Sequence, residues 1–306
     1  MVKVAIVQIS PVFLDALKTW DKLESYIRQA HEEGASLITW GESLIPGYPL
    51  WLSQTNSSRF DNPDQKTAYK KYWEESIDFG SSQVLAGICD LAKDLDVMLM
   101  GGIAEKVGGS IYATLITVGG SGEVLGRHQK LKPTYEERLV WADGDGTGLN
   151  VHDLEGVPVG GLNCWENWMP LARAALHRQG EIIHVAAWPG SAGLTKDISR
   201  FIALEGRSWV ISASGLYRPT DFGHLDKDSF PFKAHLEQND GSWFNGGSLI
   251  VNPRGEVVAG PLIDKEGLLV AEVDVGLCIE ERQNLDISGN YSRFDVFNEP
   301  RRREED

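Results

Sequence analysis

Short apolar runs alternate with amphipathic stretches along the first half of the chain. Val2 to Ile9 is almost continuously apolar, and Ala16 to Glu33 then repeats apolar side chains at helical spacing. Leu37 to Trp40 and Val97 to Ala104 are again apolar, with the helical pattern of Ser81 to Leu95 between them. This alternation predicts strands and helices in turn, which is typical of an α/β protein built in layers.

The rest of the chain continues this pattern and adds two hairpins. The first hairpin pairs Ser110 to Gly119 with Val124 to Arg127 around a glycine-rich turn. The polar segments Ser53 to Gln65 and Asp221 to Gly241 are expected to be long loops that form pocket walls or subunit contacts. The remaining predicted elements are strands at 149–154, 158–163, 182–186 and 209–213, a second hairpin at 248–251 and 257–259, and helices at 169–179 and near 196–207.

Length and charge narrow the class of protein. With 306 residues and 42% hydrophobic content, the chain can bury a large core, and we expect one domain over residues 1–290 and a solvated tail over 291–306. The formal net charge of −15 argues against nucleic-acid or anionic-membrane partners, because both require a basic face. A small neutral substrate fits this charge better.

The cysteines and the N-terminal segment indicate the compartment. Cys89, Cys164 and Cys278 are odd in number and widely spaced, so they predict neither a disulfide framework nor a metal site. We expect Cys89 on the buried face of its helix, in a structural role. The chain shows no cleavable signal and no apolar stretch of ~18 residues. We therefore expect a soluble cytoplasmic protein that needs no cofactor and no metal.

Cys164 stands where a predicted strand, Val157 to Asn163, runs into a predicted helix. A thiol at the C-terminal edge of a sheet faces the free N–H groups of the next helix, which can favour its thiolate. This placement suits a nucleophile. The competing interpretation is a buried core cysteine, since free cysteine is often a small hydrophobic core residue.

Two further segments carry the polar groups that a nucleophile needs. Glu42 closes the apolar run that begins at Ala35 and lies at the end of a predicted strand. The charged stretch from His128 to Arg138, broken by Pro133, can supply a cation. Each segment alone is weak evidence for a site, because a run of charged residues usually forms a solvated face.

Taken together, these three segments resemble the Glu, Lys and Cys motifs of the nitrilase superfamily. The motif with Glu42 is GESLIPGYPLW, the motif with Lys130 and Glu137 is HQKLKPTYEERLVWADGDG, and the motif with Cys164 is NCWENWMPL. The CWEN followed by MPL, the KPTxxER stretch and the GDG after it resemble true nitrilases more than the amidases or carbamoylases of the superfamily. Ser43-Leu44 replaces a common Ala-Phe pair and Gln129 a common Arg, and neither change removes a catalytic group.

The resemblance runs from Lys3 to Gly255 and implies a fold, a chemistry and an assembly. The fold is a four-layer αββα sandwich. Glu42 would be the general base, Lys130 would stabilise the tetrahedral charge and Cys164 would attack an organic nitrile, giving a thioimidate and then a thioester. Glu137 is assigned to holding Lys130. A homodimer or a larger homo-oligomer is expected.

Two of the residues assigned from the motifs have close alternatives in the sequence. Lys132 competes with Lys130, and Glu136 competes with Glu137, because each pair is nearly adjacent in the sequence. His128 is interpreted as structural support beside Lys130, since a Cys-His pair would leave Glu42 and the lysine segment unexplained.

Four aromatic residues are candidates for substrate binding. Trp165 follows the nucleophile, and its backbone N–H is placed to stabilise the developing anion. Trp188 ends a predicted strand at the same edge, and Tyr48 and Trp51 are candidates for the entrance of the pocket. The competing interpretation for all four is core packing.

Several other functions fit the same residues. An amidase or carbamoylase of the superfamily would use the same triad on a C=O bond, and a hydratase-like activity would stop at the amide. The alternative from another class is a catalytically silent scaffold on this fold. The complete set of two glutamates, a lysine and a cysteine argues against it, because a silent protein need not retain all four. Ammonia release from nitriles against amides separates the enzymes, and the sequence does not specify the substituent on the nitrile.

Overall fold

The computed structural model describes residues 1–238, 244–293 and 296 of the chain. Most of the predicted tail, residues 291–306, lies outside this part, and the extent of the predicted domain, residues 1–290, stays a prediction. The described strands, in chain order, are β1 Val2–Gln8, β2 Leu37–Ile45, β3 Met98–Val107, β4 Ser110–Val118, β5 Val124–Gln129, β6 His152–Leu154, β7 Val157–Asn163, β8 Ile183–Trp188, β9 Trp209–Ser214, β10 Gly246–Val251, β11 Val257–Ile263 and β12 Gly267–Val273.

Helices connect these strands, and none in the described residues is long and apolar enough to cross a bilayer. Short 3-10 turns cover Tyr135–Leu139, Cys164–Trp168 and Pro219–Phe222. The α-helices are α1 Ala16–Glu32, α2 Trp51–Gln54, α3 Pro63–Glu75, α4 Gln83–Leu95, α5 Pro170–His177, α6 Ala192–Gly206, α7 Lys233–Glu237 and α8 Val275–Arg282.

The strands form two mixed sheets that pack face to face. One sheet has the order β12-β1-β2-β3-β4-β5 and the other β11-β10-β9-β8-β7-β6. Val4 and Ile6 of β1 meet Val185 and Ile211 of the second sheet in a buried apolar core between them. Helices α1 and α4 cover the outer face of the first sheet, and α5 and α6 cover that of the second. The predicted four-layer αββα sandwich is confirmed.

Local sequence explains why α1 forms where it does. The Asp15 side chain accepts a hydrogen bond from the backbone N–H of Lys18 and so caps the helix. Trp20, Leu23 and Ile27 then fall on one buried face, which packs on the first sheet. The predicted span, Ala16 to Glu33, exceeds the observed helix by one residue.

The largest departures from the sequence expectations lie in segments with weak periodicity. The stretch expected as a loop from Ser53 to Gln65 contains the end of α2 and the start of α3, where Asn62 caps the helix and Pro63 begins it. The second long loop contains part of one 3-10 turn and α7, and residues 239–241 lie outside the described residues. Strand β12 and helix α8 were not predicted.

The carboxyl ends of the parallel strands of both sheets lie at the same end of the molecule. In the first sheet β1, β2 and β3 are parallel, and in the second β7, β8 and β9 are parallel. Ligands of such sheets bind beyond the carboxyl ends of the strands. Glu42 near the end of β2 and Cys164 just after β7 both lie at this end.

Candidate active site

A bulge in β2 sets the position of Glu42. The pairing of β2 with β3 shifts register between Trp40 and Ile45, and Ser43 takes a left-handed φ of 47°. Gly102 on β3 makes this possible, because a Cβ there would lie 2.5 Å from the Cα of Glu42. The Glu42 side chain is buried as a result.

Lys130 follows β5 and points into the space between two carboxylates. Its Nζ lies 2.7 Å from Oε2 of Glu137 and 2.8 Å from Oε1 of Glu42, and all three side chains are buried. Lys132 instead is exposed and pairs with Asp143. The structure thus brings Lys130, and not its rival two residues later, to Glu42.

Glu137 is fixed by the turn on which it stands. One of its oxygens, Oε2, accepts a hydrogen bond from the Thr134 backbone N–H at 2.6 Å, and the other, Oε1, accepts one from the Tyr48 hydroxyl at 2.8 Å. The neighbouring Glu136 is partly exposed. Glu137 is therefore the carboxylate that reaches Lys130, and Tyr48 lies beside it.

Cys164 occupies the first position of the turn after β7 in a left-handed backbone conformation. Its φ is 48°, which costs energy for a residue with a side chain and is typical of functional sites. Its Sγ and one carboxylate oxygen from each of Glu42 and Glu137 lie within 4.8 Å of one another. The sequence predicts a strand that runs into a helix here; the structure has a short 3-10 turn, Cys164–Trp168, between β7 and α5, and this turn brings Cys164 to both predicted carboxylates.

The electrostatics of this cluster favour the neutral form of the Glu42 carboxyl. Burial raises the pKa of the Glu42 carboxyl to about 8, with Lys130 opposing the rise and Glu137 adding to it. Burial alone would lower the pKa of Lys130, but the carboxylates of Glu137 and Glu42 hold it well above its usual value. Among the described residues, no hydrogen-bond partner is aligned with either oxygen of Glu42, although Lys130 is close.

The thiol of Cys164 does not follow the sequence expectation of a favoured thiolate. Burial raises its pKa well above the usual value, and the negative charge of Glu42 adds to the rise. Lys130 and the backbone N–H of Trp165 lower the pKa, but by less. The Cys164 side chain is therefore a thiol rather than a thiolate.

The same donor atoms could in principle hold a metal ion. Glu42, Glu137 and Cys164 offer two carboxylates and a sulfur within one small space. The Lys130 ammonium already lies within 2.8 Å of both carboxylates, so a metal would have to displace it.

The four predicted substrate-binding aromatics fall in different surroundings. Tyr48 contacts Glu137 through its hydroxyl, and Trp188 is buried in the apolar cluster that includes Cys164. Trp51 is buried against Tyr72 and Phe230, with its indole N–H donated to Gln65. Trp165 is 43% exposed and lies against Trp168.

Glu166 is a buried residue of the site that the sequence analysis passed over. Its Oε1 accepts a hydrogen bond from the Leu131 backbone N–H, and its Oε2 accepts one from the Asn163 N–H at 3.1 Å. The same Oε2 lies 2.9 Å from Nε2 of His128. Glu166 therefore ties the lysine segment to the nucleophile segment, and the capping-box spacing of Asn163 and Glu166 was the signal that could have revealed it.

Comparison with known proteins gives matches over nearly the whole chain. Residues 3–283 match the model of the carbon-nitrogen hydrolase family. Nitrilase 1 of Arabidopsis thaliana is 35% identical over 300 residues, which are 97% of this chain and 85% of that protein. An aliphatic nitrilase of Rhodococcus rhodochrous is 33% identical over 313 residues, covering 96% of this chain and 81% of that one.

Solved structures with the same fold are more distant in sequence. A Saccharomyces cerevisiae member of branch 10 of the nitrilase superfamily superposes with a TM-score of 0.73 at 18% identity, covering 95% of this chain and 97% of that one. An amidase from Nesterenkonia sp. superposes with a TM-score of 0.64 at 19% identity, covering 93% and 94%. At these identities the likeness concerns the fold alone.

Proposed function

Because this chain belongs to the carbon-nitrogen hydrolase family and to its nitrilase branch, we propose that it is a nitrilase that hydrolyses an organic nitrile to the carboxylic acid and ammonia. The observation that carries the proposal is the meeting of Cys164 Sγ with the Glu42, Lys130 and Glu137 side chains in one buried cluster. The nitrilase relatives extend over the same length and support it further.

The first step forms a carbon–sulfur bond. Glu42 accepts the Cys164 proton as Sγ adds to the nitrile carbon, and the proton passes to the nitrile nitrogen to give a thioimidate. Lys130 and the backbone N–H of Trp165 stabilise the negative charge that develops on nitrogen. Attack and proton transfer are coupled, since the raised pKa of the thiol keeps a free thiolate scarce.

Two water molecules complete the reaction. Glu42 removes a proton from the first, which adds to the thioimidate carbon, and ammonia leaves from the tetrahedral adduct to give a thioester. A second water, activated in the same way, adds to the thioester and releases the acid and the Cys164 thiol. In sum, one nitrile and two waters give one acid and one ammonia.

Glu137 holds Lys130 rather than touching the nitrile. Its Oε2 accepts hydrogen bonds from both Lys130 and the Thr134 N–H while Oε1 accepts from Tyr48, and these contacts keep the ammonium beside Glu42 and Cys164. Tyr48 and Trp188 form the nearer walls of the substrate pocket, a role that their contacts with Glu137 and the Cys164 cluster support. The roles of Trp51 and Trp165 at the entrance stay predictions.

We further propose that the protein is cytoplasmic and forms a homodimer or a larger homo-oligomer. Its three free cysteines support a reducing compartment. The exposed apolar side chains of Leu171, Leu194 and Phe201 on α5 and α6 support contact with a second copy.

The test is a panel of aliphatic, aromatic and arylacetonitriles, each run beside the amide of the same substituent. We expect ammonia and acid in equal amounts from at least one nitrile, and a Cys164→Ala control that releases neither. Hydrolysis of amides without nitriles would replace the proposal with an amidase, and accumulation of amide alone would replace it with a hydratase. Failure of every nitrile and amide would favour the scaffold.

A further inference from the structure

A second buried polar cluster lies behind the nucleophile, and the proposed reaction does not use it. We call it the support network. It connects the turn after β7 to α5, to α6, to β8 and to Glu181, two residues before β8. Its members are Asn167, Arg173, His177, Glu181, His184 and Glu205.

The Asn167 side chain holds the backbone on both sides of the nucleophile. Its Nδ2 donates to the carbonyl of Leu162 at 3.1 Å and to the carbonyl of Cys164 at 2.9 Å. An amide nitrogen has two hydrogens, so both are used. The bonds span the left-handed backbone of Cys164, a conformation that surrounding contacts must impose.

His184 fixes the orientation of this amide. Since Nδ2 points at the carbonyls, Oδ1 of Asn167 must be the atom that lies 2.7 Å from Nε2 of His184. An amide oxygen only accepts, so Nε2 carries a hydrogen. The Asn167 amide could not turn over without placing its N–H groups against that donor.

Glu181 in turn fixes His184. Its Oε1 lies 2.9 Å from Nδ1 of His184. Burial alone would raise the pKa of Glu181, but the positive charges of His184 and His177 lower it to about 2. The Glu181 carboxylate is therefore ionised, and its contact with Nδ1 holds the imidazole ring of His184 in place.

The outer half of the network places Arg173 and His177 against carboxylates. Arg173 donates to the backbone carbonyl of Asn167 at 2.8 Å and binds Glu205 through two nitrogens. His177 lies 3.2 Å from Glu181 and 3.8 Å from Glu205. Burial would lower the pKa of His177, but these two carboxylates raise it to about 9. Positive and negative groups thus alternate from Glu205 to Asn167.

We propose that Asn167 is a positioning residue for the Cys164 nucleophile, held in the one useful orientation by His184 and Glu181. It touches no reacting atom and acts through the backbone that aims Sγ. The inference rests on the proposed function only in taking Cys164 as the nucleophile.

Two substitutions of His184 separate positioning from simple packing. The amide nitrogen of glutamine can occupy the place of Nε2 and still donate to Asn167, whereas that of asparagine occupies the place of Nδ1 and reaches only Glu181. We expect His184→Asn to lower kcat by about 100-fold with little change in KM, since a displacement of about 1 Å costs that much. His184→Gln should restore most of kcat.

Asn167→Asp provides a second route to the same answer. It keeps an oxygen for His184 but replaces the two N–H donors with an oxygen that repels both carbonyls, so kcat should fall at least as far as in His184→Asn. The rate of Cys164 alkylation by iodoacetamide, followed by intact mass, should follow kcat: it should be close to the parental rate in His184→Gln, lower in His184→Asn and at least as low in Asn167→Asp. This measurement requires no nitrile, so it decides the inference even if the proposed substrate class is wrong.

The matched controls are His152→Asn and His152→Gln. His152 is a half-buried histidine on β6 that pairs with Val159, five residues before Cys164, and it belongs to neither charged cluster, so neither change should alter kcat or the alkylation rate. Tm is measured for every variant. Equal kcat and alkylation rates in His184→Asn and His184→Gln, or losses that follow Tm alone, would overturn the proposal, as would an Asn167→Asp enzyme with parental values.

Discussion

Two clusters of charged side chains contact the segment around Cys164, and the pKa of Glu42 in one cluster shifts in the opposite direction from the pKa values of Glu181 and Glu205 in the other. In the catalytic cluster, Glu42 and Glu137 share one ammonium, that of Lys130. In the support network, Glu181 and Glu205 share three cationic groups, those of the arginine and the two histidines. The pKa of Glu42 is raised to about 8, while those of Glu181 and Glu205 are lowered to about 2.

The depth of burial does not decide between these outcomes. Loss of solvent is the largest effect on all three carboxyls, and by itself it raises the pKa of each. The sign of the net shift follows the ratio of carboxylates to cations. A buried site with too few cations yields a proton acceptor, and one with enough cations yields a rigid support.

The largest expected effect tests whether only one of the two clusters performs chemistry. Cys164→Ala should fold and show no turnover, because no other nucleophile is proposed. Cys89→Ser, in a half-buried position of α4 rather than the buried one expected, and Cys278→Ser, in α8, should keep turnover and lose at most stability. Iodoacetamide should modify Cys164 before Cys89, and the reverse order or an active Cys164→Ala would end the mechanism.

Removal of the single catalytic cation should be nearly as severe. Lys130→Ala breaks the buried ion pair with Glu137, so we expect no measurable turnover and a loss of about 3–5 kcal/mol in unfolding free energy. Lys132→Ala removes an exposed ion pair and should change stability by less than about 1 kcal/mol. Denaturant titration and kcat of both variants test this ranking, which a larger loss at Lys132 would reverse.

Equivalent substitutions in the two clusters should separate activity from stability. Glu42→Gln removes the proposed base and should lower kcat by about 10²–10⁴-fold while leaving or raising Tm, because it removes an excess buried carboxylate. Glu181→Gln removes the buried carboxylate that contacts both histidines, although His177 keeps Glu205, and should cost about 3–5 kcal/mol of stability. Destabilisation by Glu42→Gln that matches that of Glu181→Gln would erase the contrast.

The two clusters should also respond to opposite ends of the pH range. As a base, Glu42 must lose its proton, so kcat/KM should rise about tenfold per pH unit and level off above about 8. Because the folded protein favours the neutral form of Glu42, this group contributes its full stabilisation below its ordinary pKa of 4.5. The contribution is lost as pH rises through about 8. Glu181 and Glu205 instead contribute stability above 4.5 that is lost as pH falls through about 2.

Protonated His177 also contributes to the pH dependence of stability, and it does so only at alkaline pH. It is complete below 6.5 and is lost as pH rises through about 9. Urea titrations across pH should therefore show a shallower alkaline decline in Glu42→Gln than in the parent. An unchanged pH profile of both kcat/KM and stability in that variant would contradict the assigned proton.

The sequence predicts those parts of the molecule that depend on local pattern. The α1 helix, the strand before Cys164 and the identity of the Glu42, Lys130 and Glu137 group follow from periodicity, turn position and motif. The support network does not, because Arg173 meets Glu205 across 32 positions of sequence only after α5 and α6 have packed. The protonated thiol was also missed, since burial outweighs the N–H groups that follow Cys164.

The tie made by Glu166 has a consequence for local unfolding. It binds the backbone N–H groups of Leu131, next to the lysine of the first sheet, and of Asn163, next to the cysteine of the second. Neither N–H can exchange with solvent deuterium unless this shared carboxylate releases it. The two halves of the active site should thus open as one cooperative unit, with a common free energy of opening, although they belong to different sheets.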